Sequence, residues 1–364
     1  MTKRVYNFSP GPAVLPLSVL EQIQSEMISL PGVGASILEI SHRSPAFDAI
    51  LAESQALIRQ LLGVPENYRI LFMQGGAHLQ FTALALNFLR GAGKTAEYII
   101  TGTWGNAALK EAQKEGPTRV VWDGKQHNYS RLPAFSELKL SADAAYIHMT
   151  SNETIQGVQF VGQPDTGTAP LICDSASDFL SRPVDVARYS MIYACAQKNA
   201  GISGVTAIVI RDDLLERVPK NLSASLDYAN FAKNDSRPNT PPTFAIYVLM
   251  LVGRWLRDTI GGLDKMAALN SSKAKLLYDA IDTSGGFYRP HARPDSRSKM
   301  NVTFRLPSED LEKAFVKEAV KQDLTELKGH RSVGGIRASI YNAMPLVAVE
   351  MLAKFMADFA KKIT

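Results

Sequence analysis

The chain has 364 residues, long enough to bury a sizeable core and usually to form more than one domain. Its 46% hydrophobic and 21% charged residues are the composition of an ordinary soluble globular protein. A net charge of +5 admits nucleic acid or small anionic metabolites as partners, but the basic residues are scattered with no Lys/Arg tract, which favours metabolites over nucleic acid. The opening ten residues hold no signal-peptide core, and no later segment offers eighteen uninterrupted apolar residues, so the expectation is a cytoplasmic protein with no membrane partner.

No repeat is visible, which argues against a solenoid. After a start bearing Pro10, Pro12 and Pro16, helices are predicted over 18–29 and 47–62, the second with Ile50, Leu51, Ala56, Leu57, Leu61 and Leu62 at helical spacing. Strand-like runs follow at 69–73, 98–101, 119–122, 145–150, 171–174, 191–194 and 205–210. Strands alternating with helical or loop segments predict an α/β fold, with a mostly parallel seven-stranded sheet wrapped by helices. The link before the last run, residues 201–204, is too short for a helical crossover, so that strand is expected to be antiparallel. Residues 227–242 are polar and proline-bearing and are expected to form a long surface loop. A helix over 244–259 leads through Gly261-Gly262 to helices at 265–282, 308–318 and 345–361 and strands at 300–304 and 336–339, a smaller α+β unit. The expected division is 17–261 for the large domain and 262–364 for the small one, the latter joined by 1–16.

Two apolar runs each end in an ionisable residue: Leu171-Ile172-Cys173-Asp174, and Met191 to Ala196 followed by Gln197-Lys198. Ligands of open α/β sheets collect at the carboxyl ends of such strands, so Asp174 and Lys198 are expected to share a crevice. A lysine in a partly dry crevice can be a free amine able to condense with an aldehyde, and a nearby aspartate can hold a pyridine nitrogen protonated. The alternative is a structural ion pair. Gln74-Gly75-Gly76-Ala77-His78 joins a strand to a helix, a cup that suits phosphate as well as a plain turn. Trp104, after the second strand, could stack on a ring or fill a core; Thr154, after the fourth, could meet a ring hydroxyl or simply close a turn. Cys173 and Cys195 lie inside strand runs and read as small core hydrophobes, with no metal site expected.

In this order the pieces resemble the fold type I pyridoxal phosphate enzymes, and within them the phosphoserine aminotransferases of aminotransferase class V. The resemblance runs from Asn7-Phe8-Ser9-Pro10-Gly11-Pro12 to Met344. Its most specific marks are Ile40-Ser41-His42-Arg43-Ser44, Asn152-Glu153-Thr154-Ile155, Ala196-Gln197-Lys198-Asn199 and the sixteen residues from Gly329 to Met344. By that resemblance Lys198 is the Schiff-base lysine, Asp174 the pyridinium partner, Trp104 the stacking residue, Thr154 the ring-hydroxyl contact and Gln197 a further polar contact. Ala77 and His78 match the phosphate-cup positions. Asn239 and Thr240 match the pair lent to the cofactor phosphate of a neighbouring subunit, which implies a homodimer with shared active sites.

A phosphorylated keto acid carries two anions, which need two separated cationic groups, preferably arginine forks. The resemblance implies that Arg337 takes the α-carboxylate. It gives the phosphate or the glutamate side-chain carboxylate to His330 and Arg331, with His42 and Arg43 from the other subunit. The implied reaction exchanges the amino group between glutamate and 3-phosphohydroxypyruvate in serine biosynthesis; the sequence does not fix whether the phosphorylated hydroxythreonine precursor of pyridoxine synthesis is also accepted. A cysteine desulfurase of the same fold would need an exposed, activated cysteine, and a glyoxylate transaminase would not need paired His-Arg sets.

Overall fold

The structure, a computed structural model, describes residues 4–363. Residues 1–3 and 364, which the expected small domain includes, lie outside the described residues. Among the described residues the main sheet has seven strands: β1 (Tyr68–Met73), β2 (Ala96–Ile100), β3 (Thr118–Asp123), β4 (Ile147–Thr150), β5 (Leu171–Asp174), β6 (Met191–Cys195) and β7 (Thr206–Arg211), in the order β1-β7-β6-β5-β4-β2-β3. Neighbours from β3 to β6 pair in parallel. Strand β7 is antiparallel to both β6 and β1, which leaves β1 running in the same sense as the parallel set.

The unbroken apolar runs of these strands follow from burial on both faces. Successive side chains of a strand point to opposite sides, and here each side is a core. Ile70, Phe72, Ile147, Cys173, Ile192 and Val209 pack into one, together with the helices Pro45–Leu62 and Thr243–Arg254. Leu71, Met73, Tyr98, Ile172, Tyr193 and Ile208 pack into the other, with the helices Gly76–Phe88 and Thr103–Ala112. Helix Pro45–Leu62 begins where Ser44 Oγ accepts from the Phe47 amide with proline in the first turn, and ends at Gly63 in the left-handed conformation.

A third core joins Phe8 to Leu277, Val302, Phe304, Phe315, Ile336 and Phe355. It is built on the antiparallel strands β8 (Arg289–Pro290), β9 (Asn301–Arg305) and β10 (Ile336–Ser339), covered by the helices Glu309–Val320 and Leu346–Ile363. The N-terminal pair Tyr6–Asn7 adds to it beside Leu324–Thr325. Helix Leu263–Asp282 crosses between cores: Leu263 and Met266 belong to the first, Ala274, Leu277 and Ile281 to the third.

The loop expected over 227–242 is corrected. Tyr228–Lys233 is a short helix whose Tyr228 and Phe231 are buried in the second core. Asp227 caps it by accepting from the Asn230 amide at 2.9 Å, and Tyr228 Oη donates to Gln80 Oε1 at 2.8 Å. Two aromatics three residues apart in a polar stretch anchor a single helical face, too brief a pattern to outweigh the surrounding polarity. The helix expected over 244–259 is α-helical over Thr243–Arg254 and continues as a wider π turn over Trp255–Ile260. No helix among the described residues is long and apolar enough to cross a membrane.

Candidate active site

The carboxyl ends of β1, β2, β4, β5 and β6 open on one crevice of about 350 Å³, a size typical of small-molecule sites. Its wall includes Trp104, Thr154, Asp174, Lys198, His330 and Arg337. Both cysteines are free and buried, and Cys195 also lines the crevice.

Lys198 follows β6, and its Nζ donates to Thr154 Oγ1 at 2.8 Å and lies 5.6 Å from the centroid of the Trp104 ring. Asp174 ends β5. One of its oxygens accepts from the Ala176 amide at 2.9 Å, and the other takes no hydrogen bond from the described residues. Burial pushes its carboxyl up to about 6, against the pull of the Ala176 amide and of Lys198. A buried acid with one open oxygen gains most from a cationic N–H partner, which would restore its ionised form.

Glu153 is a site residue that sequence reasoning passed over, although it lies inside a quoted motif. Its two oxygens accept from the amides of Gly105 at 2.8 Å and Trp104 at 3.0 Å, at the start of helix Thr103–Ala112. The carboxylate therefore caps the helix that carries Trp104. Burial raises it to about 7, while the two amides act the other way. Gly102 permits the approach: a Cβ there would stand 2.5 Å from Glu153 Cδ. The missed signal was an acid three residues past the end of the buried strand β4.

At the end of β1, Gly75 adopts φ 86 as the cap of helix Gly76–Phe88, which has no side-chain cap. A Cβ on Gly75 would lie 2.5 Å from Leu79 Cδ2, so the turn needs glycine on both counts. Ala77 and His78 thus line the crevice from an open helix start, where backbone amides favour an anion. The His78 imidazole meets Trp104 edge-on, ring centroids 5.6 Å apart.

Arg337, on β10, is 7% exposed, its Nε has no hydrogen-bond partner, and no carboxylate among the described residues pairs with it. Burial lowers its pKa. His330 Nδ1 lies 2.7 Å from Ser332 Oγ, and burial together with Arg337 and Arg331 pulls the imidazole down. The crevice therefore brings together Lys198, Asp174, Ala77, His78, Trp104, Thr154, Gln197, His330 and Arg337. The single chain does not bring His42, Arg43, Arg331, Asn239 or Thr240 to it. Arg43, Arg331, Asn239 and Thr240 are exposed and His42 is half-buried, while the Thr240 carbonyl accepts from Gln74 Nε2 at 3.1 Å, beside the phosphate cup.

The sequence pattern of aminotransferase class V matches residues 5–352. The chain belongs to that family. Among relatives of this class-V aminotransferase, the phosphoserine aminotransferase of Rhodopirellula baltica is 54% identical over 99% of this chain and 96% of its own. The structure of phosphoserine aminotransferase from Bacillus circulans subsp. alkalophilus superposes with a TM-score of 0.97 at 50% identity, covering 100% of both chains. A structure described as pyridoxal phosphate-bound phosphoserine aminotransferase from Trichomonas vaginalis superposes with a TM-score of 0.92 at 42% identity, over 97% of this chain and 100% of that one.

The crevice fits the cofactor that the sequence led us to expect. Asp174 presents an open oxygen, Trp104 Nε1 and Thr150 Oγ1 are buried without partners, and a helix start with no side-chain cap suits the phosphate. Among the described residues no group of three or more His, Cys, Asp or Glu side chains could hold a metal ion.

Proposed function

We propose that the chain is a pyridoxal phosphate-dependent phosphoserine aminotransferase, moving the amino group between L-glutamate and 3-phosphohydroxypyruvate to give 2-oxoglutarate and O-phospho-L-serine. The observation that carries this reading is that Lys198, Asp174 and an unpaired Arg337 wall one crevice. Identity near 50% with phosphoserine aminotransferases along the whole chain supports the substrate pair.

When bound, the cofactor supplies an electron sink for negative charge developing at the substrate α-carbon. Lys198 Nζ, oriented by Thr154 Oγ1, would take the proton from that carbon and deliver it to the cofactor's former aldehyde carbon within the same half-reaction, and would carry a proton the opposite way when the keto acid is aminated. Asp174 would hold a proton on the cofactor's ring nitrogen through its open oxygen. Trp104, set in place by Glu153 at its backbone amide, would stack on the cofactor ring. The open helix start at Ala77 and His78 would hold the phosphate, with Gln197 as a further polar contact. Arg337 grips the α-carboxylate common to both amino acids as a two-pronged donor, and its burial strengthens that contact by excluding water.

The second anion needs a second cationic group; His330, on the crevice wall, would supply part of one, together with Arg331, its exposed neighbour in the chain, once a bound substrate draws it in. His42, Arg43, Asn239 and Thr240 lie outside the crevice of their own chain, which supports a homodimer in which each copy lends them to the other's site. The three cores support a division into residues 17–261 and 262–364 joined by 1–16, and the free buried thiols fit a cytoplasmic location.

The test is transamination of glutamate with each phosphorylated keto acid. Turnover with 3-phosphohydroxypyruvate and ping-pong kinetics are expected, and activity with pyruvate or glyoxylate but not with a phosphorylated acceptor would overturn the reading. The same assay decides whether the phosphorylated hydroxythreonine precursor is also a substrate.

A further inference from the structure

Lys273, on helix Leu263–Asp282, is fully buried, and no carboxylate among the described residues pairs with it. Its Nζ instead donates to four backbone carbonyls: Tyr341 at 2.7 Å, Ile340 at 3.0 Å, Met344 at 3.2 Å and Asn342 at 3.3 Å. Several carbonyl oxygens converging on one point without an anion is how backbones replace the water shell of a monovalent cation. Burial alone pulls the amine down to about 7. A neutral amine, however, would offer two N–H groups and turn a lone pair on the carbonyls, whereas an ammonium offers three donors, so the cage favours the charged form.

The caged turn is also the seam between cores and a flank of the crevice. Ile340 directly follows β10, which carries Arg337. The Asn342 amide donates to Asn199 Oδ1 at 3.0 Å, and Asn199 adjoins Lys198 in the chain. Asn342 Nδ2 reaches the Leu180 carbonyl at 2.8 Å, and Asn270, one turn from Lys273, donates to Asn342 Oδ1 at 2.9 Å. Leu180 belongs to the first core, Ile340 and Met344 to the third.

We propose that the carbonyls of Ile340, Tyr341, Asn342 and Met344 form a monovalent-cation site that the chain fills with its own Lys273 ammonium, and that this tether positions Arg337 and Lys198 against each other. Lys273 touches no substrate; it is a positioning residue. An ordinary buried lysine would be interchangeable with an apolar side chain of similar volume, whereas a cage of four carbonyls needs a cation at its centre.

Thermal unfolding of full-length, cofactor-loaded Lys273→Ala is compared in choline, potassium and ammonium chloride at equal ionic strength. In choline the four carbonyls lose their partner, and the melting temperature is expected to fall by roughly 5–10 °C. Ammonium or potassium enters the emptied cage and restores most of the loss; choline is too large. The native protein and Lys273→Met do not respond, because an ammonium or an apolar head already blocks the cage. No deficit in choline, or one identical in all three salts, overturns the proposal.

The positioning role rests on the proposed transamination and is read separately. The KM for glutamate in Lys273→Ala, raised several-fold in choline, falls with the recovery of melting temperature, and a KM that stays high while stability returns overturns that role. The melting experiment needs no substrate, so the proposed function can fail without it. Should Lys273→Ala not accumulate as soluble protein, nitrogen-15 spectra of lysine-labelled native protein decide. An ammonium signal surviving at about pH 9, where exposed lysines exchange their protons away, supports the cage, and its absence overturns it.

Discussion

Lys198 Nζ donates to Thr154 Oγ1 at 2.8 Å although 44 residues separate them in the chain. The bond joins the segment after β6 to the turn after β4, across the strand that ends in Asp174. An amine, the hydroxyl that holds it and a buried acid are thus set by three strand ends of one sheet, a rigid frame suited to proton transfer.

Lys198→Ala removes the amine that we propose carries the proton and binds the cofactor covalently. Turnover is expected to fall by about 10⁴-fold or more, at the upper end of what a positioned acid or base contributes. The visible band of lysine-bound pyridoxal should vanish from the absorption spectrum of the loaded protein. Near-native turnover would remove Lys198 from the mechanism.

The cofactor-free protein should lose stability as the pH rises through the acid range. The Asp174 carboxyl sits near 6 in the fold against 3.8 for a free aspartate, and Glu153 near 7 against 4.5. The folded state therefore holds protons that the unfolded chain releases. The contribution is complete below about pH 4 and is lost by about pH 8, on the order of 3 kcal/mol for each acid. Asp174→Asn should accordingly be more stable than the native protein without cofactor at pH 8, yet bind the cofactor less tightly. Denaturant titrations at pH 5 and 8, with and without cofactor, check both signs.

Glu153→Ala leaves the amides of Trp104 and Gly105 buried without an acceptor. A loss of about 2–4 kcal/mol is expected from two unmet donors and a missing helix cap. Because the cap sets Trp104, cofactor retention on dialysis should fall together with stability. A variant that unfolds at a lower denaturant concentration but retains cofactor normally would separate the cap from the site.

Arg337→Lys keeps the charge and gives up the fork. The loss of a two-pronged, charge-assisted contact in a buried position should lower kcat/KM by about 10- to 100-fold for glutamate and for the phosphorylated keto acid alike. An effect on one substrate alone would contradict a grip on the carboxylate they share.

Mixed dimers test the sharing of sites. Lys198→Ala and Arg43→Ala should each be nearly inactive alone. Refolded together, half the dimers are hybrids, and each hybrid has one site with Lys198 from one copy and Arg43 from the other. Recovery of about a quarter of native activity is expected on that statistical basis. No recovery, in a mixture whose hybrids are confirmed by mass, would place Arg43 in its own chain's site.

Local pattern was enough for the elements that are buried on both sides. Runs such as Leu171-Ile172-Cys173 and Met191-Ile192-Tyr193 need no polar alternation because both sheet faces are covered, and their carboxyl ends announce Asp174 and Lys198. The helix Tyr228–Lys233 was not legible, because its two aromatics are explained by partners such as Gln80 and Phe88, more than a hundred residues away. Glu153 escaped for a similar reason: its partners are backbone amides, which every residue has, so its sequence neighbourhood carries no mark of them.

By itself, then, the order of residues determined the α/β alternation, the sense of the last strand, and the lysine, acid and arginine that chemistry singles out, since these depend on periodicity and on residue type. Tertiary structure alone decided which acid caps the helix of Trp104, which carbonyls enclose Lys273, and which basic residues stay outside the crevice of their own chain. Those are matters of distance between strand ends and turns far apart in the chain, and distance is created when the sheet forms and its cores close.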